Sequence, residues 1–88
     1  MNQLPERLKR LRERKRLKQY VLSERCGLHP DAVRRYETGE SKPTPDSLIS
    51  MADELGVSTD YLLGRTNYPY MVDIPEKNFQ NSPYKGKN

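Results

Sequence analysis

Gln19-Tyr20-Val21-Leu22-Ser23-Glu24-Arg25-Cys26-Gly27-Leu28-His29-Pro30-Asp31-Ala32-Val33-Arg34-Arg35-Tyr36-Glu37-Thr38-Gly39 is the stretch whose reading decides the fold. Behind a polar start at Lys18 and Gln19, the apolar residues Val21, Leu22 and Cys26 recur at helical spacing until Gly27. Glycine just past the last periodic residue ends a helix, because it takes a positive φ without steric cost. A new run then restarts almost at once. Pro30 suits a first helical position, where a missing N–H costs nothing, and Asp31 suits the positive end of the helix dipole. Val33 and Tyr36 supply the inward side before Gly39 closes the run. The spacing predicts two short helices joined by a tight, glycine-containing turn.

Working outward, Leu4, Leu8 and Leu11 mark an amphipathic helix over 5–15, with Arg7, Lys9, Arg10, Arg12 and Arg14 on its other faces. Leu17 then breaks the charged run and is expected to turn inward over the helix end. On the other side, residues 40–44 read as a loop. Thr44 is the expected N-cap of a fourth helix, with Pro45 at its first position and Asp46 in its first turn. Its apolar stripe is read as Leu48, Ile49, Ala52 and Leu55, ending at Gly56. Ser58 caps a last short helix holding Tyr61, Leu62 and Leu63, stopped by Gly64. The expectation is a compact, all-α, five-helix domain over 1–64 and a tail over 65–88. In the tail, Tyr70, Val72 and Ile74 alternate with Met71 and Asp73, which fits either one short strand or a disordered end rich in Asn, Pro and Lys.

Charge is distributed unevenly. Residues 1–42 carry twelve Lys/Arg against six Asp/Glu, residues 43–64 no basic and four acidic residues, and residues 65–88 four basic and two acidic, for a net charge of +4. A molecule polarised in this way orients in the field of a polyanion. Cys26 is the single cysteine, which excludes a disulfide framework and a structural zinc site built on paired thiols. No apolar run approaches the roughly 20 residues of a membrane span, and no signal-peptide stretch opens the chain. Neither a nucleophile–base arrangement, nor metal-spaced ligands, nor a phosphate-cradling loop appears, so an enzyme is not expected, and no cofactor or metal.

Two short helices with this turn form the arrangement of a helix-turn-helix. The order of signals is more specific than that. Lys18-Gln19, Leu22-Ser23, Gly27-Leu28, Ala32 through Gly39 and Lys42-Pro43 resemble the lambda-repressor-like, Cro/CI-type (XRE) helix-turn-helix family of transcriptional regulators. Leu48, Ile49, Ala52, Leu55-Gly56-Val57-Ser58 and Asp60-Tyr61-Leu62-Leu63 continue the resemblance, which stops at Gly64.

The resemblance implies a role for each matching position. Gln19 resembles the glutamine that anchors to a backbone phosphate and braces the recognition helix. Arg12 and Glu37 resemble an ion pair tying the first helix to that helix, the arginine also facing DNA. Pro30, Asp31, Arg34 and Arg35 fall where base-reading side chains are presented. Thr38 and Lys42 match a loop that approaches phosphate, and Arg12, Arg14 and Lys18 join the expected phosphate contacts. Gly27, Val33 and Glu37 support the recognition helix. Two departures stand out: Ser23 replaces a usual alanine, and His29-Pro30 replaces a polar cap and a polar first residue. Proline offers a base no hydrogen bond, which shifts readout toward Asp31, Arg34 and Arg35. The two arginines lie roughly 100° apart on a helix, so one is placed for base edges and the other for a phosphate.

Asp31 stays open between accepting from a cytosine amino group and a helix-dipole role. Arg7 and Lys9 are expected to face solvent, His29 to be a part-exposed capping residue, and Cys26 to be a small buried hydrophobe. The implied function is a cytoplasmic, bacterial or phage-encoded repressor, a homodimer on a pseudo-palindromic operator in double-stranded DNA, with half-sites about one helical turn apart. Two alternatives remain: an antitoxin that also binds a toxin or other small protein antagonist, and an interaction module that has lost DNA binding.

Overall fold

The computed structural model describes residues 3–70, so the expected strand beyond Tyr70 and the remainder of the tail lie outside the described residues. Five helices follow in order: α1 Leu4–Arg14, α2 Gln19–Arg25, α3 Ala32–Thr38, α4 Pro45–Leu55 and α5 Thr59–Leu63. The fold is all-α. Helix α1 packs on α3 and α5, while α2 packs on α3 and α4. Leu8, Leu22, Val33, Met51 and Leu62 meet at the centre with no exposed surface. α3 is therefore held from behind by two other helices, and its far side is left open.

The helix ends follow from local chemistry. Thr44 and Ser58 each accept a hydrogen bond from the backbone N–H three residues on, as N-caps do. α2 ends at Gly27, whose φ of +71° lets the Leu28 N–H bond back to the Ser23 carbonyl. α1 ends in the same way without a glycine: Arg16 takes a φ of +59°, and the Leu17 N–H reaches the Arg12 carbonyl at 3.2 Å. Leu17 then turns onto the core, as its position predicts.

Three expectations are corrected. Pro30 is not the first residue of α3. His29, Pro30, Asp31 and Ala32 form a type I turn, with Asp31 at φ −93°, ψ 0° and the Ala32 N–H bonded to the His29 carbonyl at 2.9 Å. Proline is equally suited to the second position of that turn, and the helix starts after it. In α4, Ile49 is half exposed and Met51 is fully buried in its place. The inward stripe is Leu48, Met51, Ala52 and Leu55, and Ile49 lies roughly 100° off its axis.

Arg7 does not face solvent. Its guanidinium sits 4.2 Å over the Tyr61 ring and donates to the carbonyls of Tyr61 and Thr66, both at 2.8 Å, and to Asn67 Oδ1. Packing thus continues past Gly64, because Arg7 holds 66–67 against α1 and α5 and the Ser58 N–H bonds the Pro69 carbonyl at 2.7 Å. Cys26 is half-buried, and burial, helped by Glu54, pushes its thiol up to about 11. At neutral pH it stays a protonated, weakly nucleophilic thiol.

Candidate nucleic-acid interface

Helical geometry divides α3 into two faces before any contact is measured. At 100° per residue, Val33 and Glu37 share one side, and Asp31, Arg34, Arg35 and Thr38 share the other. The buried side carries a polar cluster. Glu37 accepts from Arg12 Nε at 2.6 Å and Arg12 Nη2 at 3.1 Å, and from the Gln19 amide at 2.9 Å. A carboxylate can only accept, which fixes the Gln19 amide with its nitrogen toward Glu37. Arg12 Nη1 donates to the Leu17 carbonyl at 2.8 Å, so all three guanidinium nitrogens are engaged. The pair is nearly dry, with side-chain exposures of 11% and 4%. The bond to Glu37 raises the Arg12 pKa, against the opposing effect of burial. Arg12, Gln19 and Glu37 thus join α1, α2 and α3 at one point.

Ser23 completes the support in a way that its sequence position alone does not disclose. No side chain within α3 caps its N-terminus. The Ser23 hydroxyl, fully buried on α2, donates to the Gln19 carbonyl and accepts from the Val33 N–H, both at 3.1 Å. It satisfies a first-turn N–H of α3 that alanine would leave unpaired in the core. Among the described residues no buried side-chain nitrogen or oxygen lacks a partner.

The open face carries a second, wetter cluster. Asp31 accepts from Arg34 Nε at 2.6 Å and Arg34 Nη2 at 2.8 Å, and from Arg35 Nε at 3.1 Å. Glu40 takes a longer bond, 3.3 Å, from Arg34 Nη2. The hydrogen bond from Arg34, reinforced by Arg35, holds the Asp31 carboxyl well below the usual carboxylate range. The Arg34 guanidinium is raised in return, chiefly by Asp31. The His29 ring accepts the Asp31 N–H through Nδ1 at 3.0 Å and so fixes the turn before the helix.

Arg35 and Lys42 border one shallow hollow beside His29 and Tyr36. Thr38 donates to the Arg35 carbonyl and accepts from the Glu40 N–H, tying the helix end to its loop. Lys18 is exposed at the start of α2. Arg14, also exposed, borders a different hollow with Leu55 and Tyr61. The parts that sequence reasoning missed are Ser23 as the cap of α3, Glu40 as a second partner of Arg34, and Arg34 and Arg35 sharing Asp31. Only the last has a signal in the sequence, the i, i+3 and i, i+4 spacing of 31, 34 and 35. Among the described residues no group of three or more His, Cys, Asp or Glu could hold a metal ion, and no helix is long and apolar enough to cross a membrane.

Comparison with known proteins agrees with this geometry. The helix-turn-helix family model matches residues 8–62. The HTH-type transcriptional regulator YqaE of Bacillus subtilis is 36% identical over 73 residues, covering 82% of this chain and 63% of that protein. The cryptic phage CTXphi transcriptional repressor RstR of Vibrio cholerae is 34% identical over 62 residues, covering 70% of this chain and 55% of that protein. The chain thus spans less than two thirds of the length of these curated relatives. Among solved structures, the P22 c2 repressor protein in complex with synthetic operator superposes with a TM-score of 0.66 at 28% identity, over 68% of this chain and 91% of that one. With the fold, the two-faced α3 and the sequence match in agreement, the chain belongs to the lambda-repressor-like, Cro/CI-type helix-turn-helix family.

Proposed function

We propose that this chain binds double-stranded DNA with α3 in the major groove and acts as a transcriptional regulator, a repressor working as a homodimer on a pseudo-palindromic operator. The observation that carries this reading is the asymmetry of α3. Its back is locked by the buried Arg12–Gln19–Glu37 cluster, and its front presents Arg34 and Arg35 with side chains 42% and 51% exposed. A rigid helix with long cationic donors on its open face suits a groove whose base edges are read by hydrogen bonds. The P22 c2 relative was solved on an operator and the CTXphi relative is named a repressor, which supports the same direction.

In this reading Lys18, Gln19, Thr38 and Lys42 contact phosphates, and Arg12 braces the helix behind them. Arg14, beside Leu55 and Tyr61, is left out of that set because its hollow does not adjoin α3. Phosphate neutralisation supplies most of the affinity and makes it salt-dependent, whereas α3 supplies the choice of sequence. A dimer seated over a promoter would exclude polymerase by occupancy alone. The test is enrichment of bound duplexes from a random pool, with sedimentation of the free protein alongside. A two-fold symmetric motif and a dimer are expected. Failure to enrich any sequence, or to retard any duplex at low salt, would falsify the proposal.

A further inference from the structure

The open face of α3 has an electrostatic balance that a simple basic surface would lack. Arg34 and Arg35 stand against Asp31 and Glu40, two cations with two anions, all within direct contact. Such a face adds little to sequence-independent attraction for phosphate, which scales with unpaired cationic charge. It is better matched to selecting a base than to holding a backbone.

The geometry of the Arg34 contact says which base. A guanidinium has a side edge, Nε with Nη2, and an end edge, Nη1 with the outer hydrogen of Nη2. Asp31 grips the side edge with two bonds of 2.6 and 2.8 Å. The end edge meets only Glu40, through one bond of 3.3 Å from a carboxylate whose side chain is 55% exposed. Asp31 is a poor base reader in its own right, because its two oxygens already accept three bonds from arginine. A carboxylate offers about four acceptor sites, so a cytosine amino group would find one left, on the oxygen that already holds Arg34 Nε.

We infer that Asp31 is a positioning residue, holding Arg34 by its side edge so that its end edge is offered to the O6 and N7 of one guanine in each half-site. Glu40 is displaced in the complex, since its single long bond is the weaker hold and duplex phosphates repel it. This assignment rests on the DNA-binding reading given above and sharpens it to one residue and one base.

The experiment is selection of bound duplexes from a random pool by the full chain and by its Arg34→Ala, Asp31→Asn and Arg35→Ala variants, with a thermal melt of each. The unmodified chain is expected to enrich a motif with a guanine in each half-site. Arg34→Ala should lower discrimination at that base pair by about 5- to 150-fold, the equivalent of 1–3 kcal/mol for one bidentate contact. Asp31→Asn should lower it at the same pair by about 2- to 10-fold, because the arginine is then ordered only on binding. Arg35→Ala should leave that pair alone, and the melts should coincide.

Three results overturn the assignment: Asp31→Asn changing a different base pair, Asp31→Asn changing none, or Arg34→Ala weakening all sequences alike. If the unmodified chain enriches no motif, the DNA-binding reading itself has failed. A motif that is present while the two variants act at separate pairs refutes only the role of Asp31.

Discussion

Arg12 with Glu37 and Arg34 with Asp31 are chemically the same contact, each a side-on bidentate pair with a shortest distance of 2.6 Å. They sit on different faces of one seven-residue helix, α3, with Glu37 turned to α1 and α2 and Arg34 turned to solvent. Behind the helix the pair is nearly dry and joined by Gln19; in front it is wet and shared with Arg35 and Glu40. The same groups thus do different work according to the water around them. Inside, each charge has given up its hydration and depends on its partner, so the pair fixes where α3 lies. Outside, water competes for every donor, so the pair adds little to stability but orders the side chains that point away.

The comparison breaks first at Glu37. Glu37→Ala should strand the Arg12 cation and is expected to cost about 3–5 kcal/mol, read as a lower urea midpoint. Replacing both partners with apolar residues, Arg12→Met with Glu37→Leu, should cost clearly less than the single change. If the double variant is the less stable of the two, the buried pair is not what holds α3. Ser23→Ala comes next, at about 1–2 kcal/mol, because it leaves the buried Val33 N–H without an acceptor. Arg34→Ala lies at the other end of the scale: its melting midpoint should match that of the unmodified protein. A clear drop there would mean that the front of α3 is structural as well.

Much of this was legible in the sequence, and the gaps have a common cause. Helix ends are local, so Thr44, Ser58 and Gly27 announce them within a few residues. Leu4, Leu8 and Leu11 likewise specify one face of α1 by spacing alone. Pro30 misleads because a proline at the second position of a type I turn and a proline at a helix start look the same along the chain. Ile49 misleads because it is apolar and adjoins Leu48 along the chain, yet it lies roughly 100° off the axis of the stripe to which Met51 belongs. What stayed hidden were contacts between distant residues. Arg12 lies 25 residues from Glu37 and was visible only through family resemblance. Ser23 capping α3, and Arg7 reaching Tyr61 and Thr66, depend on how the helices pack, which no local pattern encodes.

The junction between Gln3 and Gly64 has a consequence for engineering. The Gln3 N–H bonds the Leu63 carbonyl at 3.3 Å, and a Cβ on Gly64 would come within 3.0 Å of the Gln3 side chain. The helical unit therefore starts and finishes at one spot, with Arg7 clasping the outgoing strand of chain to it. Joining those two points through a short linker, and reopening the backbone between Lys42 and Pro43, would give a rearranged chain order with every helix intact. Cargo fused after residue 70 would in turn emerge beside the far end of α1, where Tyr70 shares a hollow with Leu11, Arg14 and Lys15.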